Sequence, residues 1–176
     1  PIEIERTRIA CEVATIGLLA FKEHSIAGVT EAAVSAAVES SIRRDGCDYR
    51  GARFAFAWGQ VTSGEATSRN WNYPVSSARR LERGDLVMIE LGVVVDGYWS
   101  DMTRTVTVGP ASSRQRDMYD LVRRAQAASL GAARPGAGGH AVDAAGREII
   151  ARGGYADEFV HHTGHGIGFR YHEPFP

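Results

Sequence analysis

The sequence predicts an α+β domain, and three features carry that prediction: apolar stripes at helical spacing in two pairs of segments, two strand-like runs joined by Asp96-Gly97, and a self-similarity at a spacing of 108 residues. With 176 residues, 44% hydrophobic and 23% charged, the chain has enough apolar material for a buried core, and residues 1–176 read as one domain. A net charge of −1 leaves no basic excess for nucleic acid or an acidic membrane surface. No apolar run reaches the roughly 20 residues that a spanning helix needs. Cys11 and Cys47 have neither metal-ligand spacing nor enough company for a disulfide framework, which suits a reducing compartment. The default expectation is a soluble cytoplasmic protein.

In chain order, Ile9, Val13, Ile16, Leu19 and Ala20 recur at helical spacing and predict an amphipathic helix over residues 2–22. A second helix follows Gly28, with Thr30 as its N-cap, Val34, Ala37, Val38 and Ile42 as its buried stripe and Gly46 as its stop. Residues 52–62 alternate as a strand does, and residues 63–80 read as a long polar loop. After the Asp96-Gly97 strand pair, Ser112 or Ser113 caps a helix to about Ala133, and another helix runs from about Ala141 to Arg152. Shifting the numbering by 108 aligns Gly28 with Gly136, Val34 with Val142, Ile42 with Ile150 and Gly46 with Gly154. Each half then reads helix, glycine connection, helix, glycine, strand, and implies two such units about one sheet.

Chemistry enters with the strand pair DLVMIELGVVVDGYWSDMTRTVTVG. Asp-Gly suits a two-residue type I′ turn, which needs positive φ at both positions. Val95 then pairs with Tyr98, and every cross-strand pair has numbers summing to 193. Glu90 falls opposite Thr103 and Gly92 opposite Asp101, so both acids share a face, with Cβ atoms within roughly 8 Å as diagonal neighbours. Two carboxylates that close need shifted protonation, an arginine, a metal cation or open solvent. Gly92 leaves space over Asp101 for a ligand.

A second dense signal is HHTGHGIGFRYHEP, residues 161–174, holding four of the six histidines. Imidazole is the commonest metal ligand and titrates near neutrality, so such a cluster points to a metal, to proton transfer or to both. Gly164, Gly166 and Gly168 would let the backbone approach a ligand.

Together the two motifs resemble those of the prolidase, aminopeptidase P, methionine aminopeptidase and creatinase family, whose fold is the pita-bread fold with an internal pseudo-twofold. The resemblance covers most of the chain. It implies two divalent ions (manganese, cobalt or zinc), with Glu90, Asp101 and His165 among the metal ligands, and His161 and His172 as catalytic groups contacting substrate. The implied activity is metal-dependent hydrolysis of Xaa-Pro-type peptides. The alternatives are a metal-free C–N hydrolase of the creatinase or ectoine-hydrolase type and an inactive pita-bread binding module. The implied partner is a peptide or small amide substrate, without nucleic acid or membrane, and a homodimer is compatible. Three positions depart from the pattern. Glu90 stands where an Asp is expected, Arg69-Asn70-Trp71-Asn72 occupies a region that usually holds a histidine, and two further Glu ligands and the last strands would lie beyond Pro176. On that resemblance residues 1–176 form a pita-bread catalytic domain incomplete at its C-terminal end, which a separate domain would precede, and the chain alone is expected to be inactive.

Overall fold

Helix α1 (Ile2–His24) buries Ile9, Val13 and Ala20 of the stripe that its periodicity predicts, together with Ala10, Ala14 and Phe21, while Ile16 is only partly covered. Leu19 is the exception at 65% exposed. It lies one residue step, about 100°, before Ala20 and so falls off the buried line. Helix α2 (Glu31–Gly46) begins at Thr30, whose hydroxyl accepts from the Ala33 amide, and buries Val34, Val38 and Ile42, while Ala37 is only partly covered. The two helices pack closely because Gly17 faces Ile42: a Cβ at position 17 would lie 2.5 Å from Ile42 Cδ1.

This computed structural model describes residues 2–72 and 75–173, with residues 69–72 described through their backbone. Three antiparallel strands in the order β1 (Ala55–Ser63), β2 (Leu86–Val95) and β3 (Tyr98–Thr107) form the sheet. On one face Ala57, Val61, Ile89, Leu91, Val93 and Val95 are buried, in one core with the apolar faces of α1 and α2. Burying each of the Val, Ile and Leu side chains among these is worth about 1.5–3 kcal/mol, which makes this helix-backed face the principal source of stability. The opposite face is left to carry chemistry. Glu31, buried at the start of α2, accepts from the Ser63 hydroxyl (2.6 Å) and from the amide and hydroxyl of Ser77 (3.0 and 2.6 Å), so its charge is hydrogen-bonded rather than stranded.

Residues 63–80 are not a plain loop. The structure turns Gly64–Asn72 into a 3₁₀ segment. Its first turn closes through the Thr67 hydroxyl on the Gly64 carbonyl and the Ser68 hydroxyl on the Glu65 carbonyl, at 2.8 Å each. The side chains of Arg69, Asn70, Trp71 and Asn72, where a histidine was sought, lie outside the described residues, as does Pro174 of the histidine motif.

The described residues divide into two compact units, one within residues 2–110 and 166–173 and the other Ala111–His165. In the second, α3 (Ser113–Ala132) starts from a capping box in which Ser112 and Gln115 each satisfy the other's backbone amide. Helix α4 (Gly139–Arg152) starts two residues earlier than predicted, and its core is Leu121, Ala125 and Ile150 with Ile149, Tyr155 and Phe159 against them. The helix pairs α1–α2 and α3–α4 share a glycine at positive φ in their connections, Gly28 at 89° and Gly136 at 85°, matching the 108-residue shift. The strand expected after Gly154 is absent among the described residues, where residues 153–173 are turns and irregular chain. In the first unit, that segment meets the sheet through the Trp99 amide donating to the Gly168 carbonyl at 2.8 Å.

Candidate metal centre

The site begins with the turn. Asp96 and Gly97 have φ of 50° and 93°, the type I′ signature, and the strand register is the one that the two-residue turn demands: Glu90 opposite Thr103 and Gly92 opposite Asp101. With Ile89, Leu91 and Val93 fully buried against the helices, alternation places Glu90, Gly92, Trp99, Asp101 and Thr103 on the other face. β1 adds Trp58, paired with Gly92, and Gln60, paired with Glu90.

On that face both acids meet the Tyr171 hydroxyl. Tyr171 donates to Glu90 Oε1 at 2.6 Å, while the Thr103 hydroxyl donates to Oε2 at 2.5 Å. The Asp101 carboxylate also bears on that hydroxyl, more weakly than Glu90. Burial first, then the hydrogen bond and charge of Glu90, then Asp101, push the Tyr171 hydroxyl far above the usual tyrosine range, so it remains a neutral donor.

The Tyr171 ring is fixed from several sides. It meets Trp58 edge-on at 5.8 Å and Trp99 at 5.5 Å, and stacks on His172 at 4.7 Å. It lies against Gly92 so closely that a Cβ there would sit 2.8 Å from Tyr171 Cε2. The space over Asp101 that the sequence assigns to a ligand is thus taken by an aromatic ring. Tyr171 is not among the site residues that the sequence predicts; its signal there is its place among the glycines and histidines of residues 161–174.

An Asp101 carboxylate oxygen and a His172 ring nitrogen lie within 4.8 Å of each other. A carboxylate oxygen is a donor type that manganese, cobalt and zinc all accept, so Asp101 is suited to a metal site with the His172 imidazole beside it. Glu90 belongs to the same face, but both of its oxygens already accept hydroxyl hydrogens.

His161 and His165 belong to the second unit, in the segment after α4, and that segment is clamped. Asp143 on α4 accepts from the Thr163 amide (2.9 Å) and hydroxyl (2.7 Å). Arg147, one turn on, pairs with Asp143 at 2.9 Å, donates to the carbonyls of Phe159 (2.6 Å) and His161 (3.0 Å), and lies over the Phe159 ring. The His161 and His162 rings are 4.1 Å apart, and His162 and His165 6.1 Å. The Arg147 guanidinium first, then Thr163, hold the Asp143 carboxyl down at about 2. A depressed carboxyl contributes stability above its unfolded value of 3.8, and that stability is lost as pH falls through about 2. We therefore expect the Thr163 amide to stay protected at pH 4 and to open between pH 4 and 2. In Asp143→Ala it should exchange about tenfold faster at neutral pH, as loss of a charged hydrogen-bond acceptor implies. Unchanged exchange in that variant would show that Asp143 does not hold the segment.

The model of metallopeptidase family M24 matches residues 5–176. Among curated relatives, the Xaa-Pro dipeptidase of Pyrococcus furiosus is 39% identical over 171 residues, 97% of this chain and 47% of the relative. The solved prolidase from the same organism superposes with a TM-score of 0.87 at 38% identity, covering 97% of this chain and 49% of that one. An X-Pro aminopeptidase from Thermotoga maritima superposes with a TM-score of 0.86 at 32% identity, covering 98% and 47%. The fold is therefore the pita-bread fold that the two motifs imply. The chain spans about half the length of the curated relatives it matches. No described helix is long and apolar enough to cross a membrane.

Proposed function

Since the chain belongs to metallopeptidase family M24, we propose that it is part of a metal-dependent hydrolase that cleaves the amide bond before proline in Xaa-Pro-type peptides. The observation that carries this proposal is the placing of Glu90 and Asp101 on the sheet face that the helices leave uncovered, with a His172 ring nitrogen within 4.8 Å of an Asp101 oxygen. The dipeptidase names of the relatives supply the substrate class. When bound, divalent ions supply Lewis-acid chemistry, polarising the scissile carbonyl and acidifying an attacking water.

Asp101 and His165 are proposed as ligands, with Glu90 closing the wall beside Asp101. His172, stacked on Tyr171, is held in a fixed plane beside Asp101. From there its ring N–H would donate to the oxygen of the tetrahedral intermediate or pass a proton to the departing proline nitrogen. His161 is assigned a second such role by its place in the motif. Trp58 and Trp99 present aromatic surface around Tyr171 that would exclude water and receive the apolar proline ring.

A metal-free C–N hydrolase is the second reading, and one observation favours it: Glu90 is already partnered by two hydroxyls. The complete natural protein should release proline from an Xaa-Pro dipeptide when supplied with manganese, more slowly release alanine from the matching Xaa-Ala dipeptide, and lose both activities in a chelator. Turnover of creatine or ectoine that survives chelation, with no release of proline, would replace the peptidase reading with the second one.

A further inference from the structure

We propose that Asp143 and Arg147 of α4 are positioning residues for His161, acting through the backbone of residues 159–163 to keep the His161 ring in the form that has its hydrogen on Nδ1. The inference rests on the catalytic role given to His161 in the proposed function and adds what prepares that role.

The chain after α4 belongs to no strand among the described residues, yet three alternate residues in it have a backbone group held by α4. The carbonyls of Phe159 and His161 accept from Arg147 at 2.6 and 3.0 Å, and the Thr163 amide donates to Asp143 at 2.9 Å. Alternate residues of an extended chain face the same neighbour, so two side chains one helical turn apart do for this segment what a paired strand would do. An ordinary ion pair on a helix has no such reach. Glu148 and Arg152 form one on the same helix, and among the described residues neither bonds the segment.

The guanidinium is aimed by its other partners. Its Nε and Nη2 donate to the two Asp143 oxygens at 2.9 and 3.3 Å, and its Cζ lies 4.6 Å from the centre of the Phe159 ring. A planar fork can serve a carboxylate and two carbonyls at once, which the single ammonium of a lysine cannot match.

His161 Nδ1 lies 2.8 Å from the His162 carbonyl oxygen, and the two rings are 4.1 Å apart. A carbonyl brings no hydrogen to such a bond, so Nδ1 is the donor and, in the neutral ring, Nε2 has none. That carbonyl belongs to the same peptide unit as the Thr163 amide. The unit is planar and trans, so Asp143 on its N–H fixes where its C=O points, and the carboxylate charge polarises the carbonyl into a better acceptor. Arg147 fixes the preceding unit through the His161 carbonyl. With Nε2 as an acceptor, His161 can take the proton that an attacking water gives up as its oxygen bonds the scissile carbonyl carbon, and return that proton to the proline nitrogen as the C–N bond breaks.

The test uses the complete natural protein with nitrogen-15 in its histidines, above neutral pH, the His161 signals being identified by their loss in His161→Gln. The unaltered protein should show the His161 hydrogen on Nδ1, opposite to the preference of free histidine. Asp143→Asn and Arg147→Lys should each move it toward Nε2. Both should lower kcat for proline release by about 10–100-fold and leave KM within about twofold, since a displaced catalytic group slows the reaction without removing substrate contacts. Arg152→Gln, which breaks the neighbouring pair on α4, should change neither readout.

The unaltered protein alone can overturn the inference, because a His161 ring with its hydrogen on Nε2 has nothing to donate to the His162 carbonyl. An Nδ1 hydrogen that persists in both variants overturns it too, as does an undiminished kcat in both. Proline release by a protein whose His161 hydrogen is on Nε2 would sink the inference while the peptidase reading stands. A hydrogen that moves from Nδ1 in the variants of a protein releasing no proline would leave the hold of α4 on His161 standing and sink that reading.

Discussion

Asp101→Asn in the complete natural protein is expected to lower proline release from an Xaa-Pro dipeptide at least about 100-fold, because losing a mere supporting partner of a metal ligand already costs 10–100-fold. The amide keeps the shape of the carboxylate and removes its charge. Three effects follow together. The oxygen donor within 4.8 Å of the His172 ring becomes a poor ligand, the Tyr171 hydroxyl loses a nearby negative charge while keeping Glu90 as its acceptor, and the face that Glu90 occupies loses one carboxylate charge. Manganese affinity should fall in parallel, so calorimetry and kinetics should move as one. Asp96→Asn is the matching control on the same hairpin. Asp96 accepts from Arg6 at 3.1 Å and from the Arg53 amide at 3.0 Å, so its change should lower stability and leave manganese affinity unchanged. Equal metal affinity in Asp101→Asn and the unaltered protein would remove Asp101 from the ligand set.

What could be read from the sequence, and what could not, follows from the range of the interactions. The hairpin register was legible to the residue because a two-residue turn leaves no slack, and one pairing at Val95 and Tyr98 then determines all the others. The helix caps at Thr30 and Ser112 were legible for the same local reason. Tyr171 was not, because its contact with Glu90 joins residues 81 apart and depends on how an irregular, glycine-rich segment crosses the sheet. Once Gly92 is seen as the place where a ring must fit, the pairing is intelligible, but a glycine announces space without naming its occupant. The Asp143–Arg147 clamp was hidden differently. At i, i+4 it looks like an ordinary pair on a helix surface, worth about 0.5 kcal/mol or less. Its further partners, two carbonyls and Thr163, belong to a loop whose path no periodicity describes. The 3₁₀ segment Gly64–Asn72 was missed because such runs seldom exceed three or four residues and have no sequence period to betray them.

Gly92→Ala is expected to destabilise the protein by about 1–3 kcal/mol, the usual penalty for adding a methyl group to a close-packed site. For a chain of this size that lowers the thermal midpoint by about 2–4 °C per kcal/mol. The methyl carbon would lie 2.8 Å from Tyr171 Cε2 and 3.3 Å from Tyr171 Cδ2, contacts that the rigid ring cannot relieve by a rotamer change of its far end. Tyr171 must move, and its hydroxyl moves with it, so Glu90 keeps Thr103 as its donor and loses the 2.6 Å bond from Tyr171. The displacement should be visible in the emission of Trp58 and Trp99, whose indoles meet the Tyr171 ring edge-on. Gly131→Ala provides the contrast. Gly131 lies within α3 with no atom within 4 Å of a new methyl group, and alanine is the better helix former by up to about 1 kcal/mol. That variant should be as stable as its parent or more so, with unchanged tryptophan emission. A Gly92→Ala protein that melts with its parent and emits like it would mean that Tyr171 does not rest on the strand.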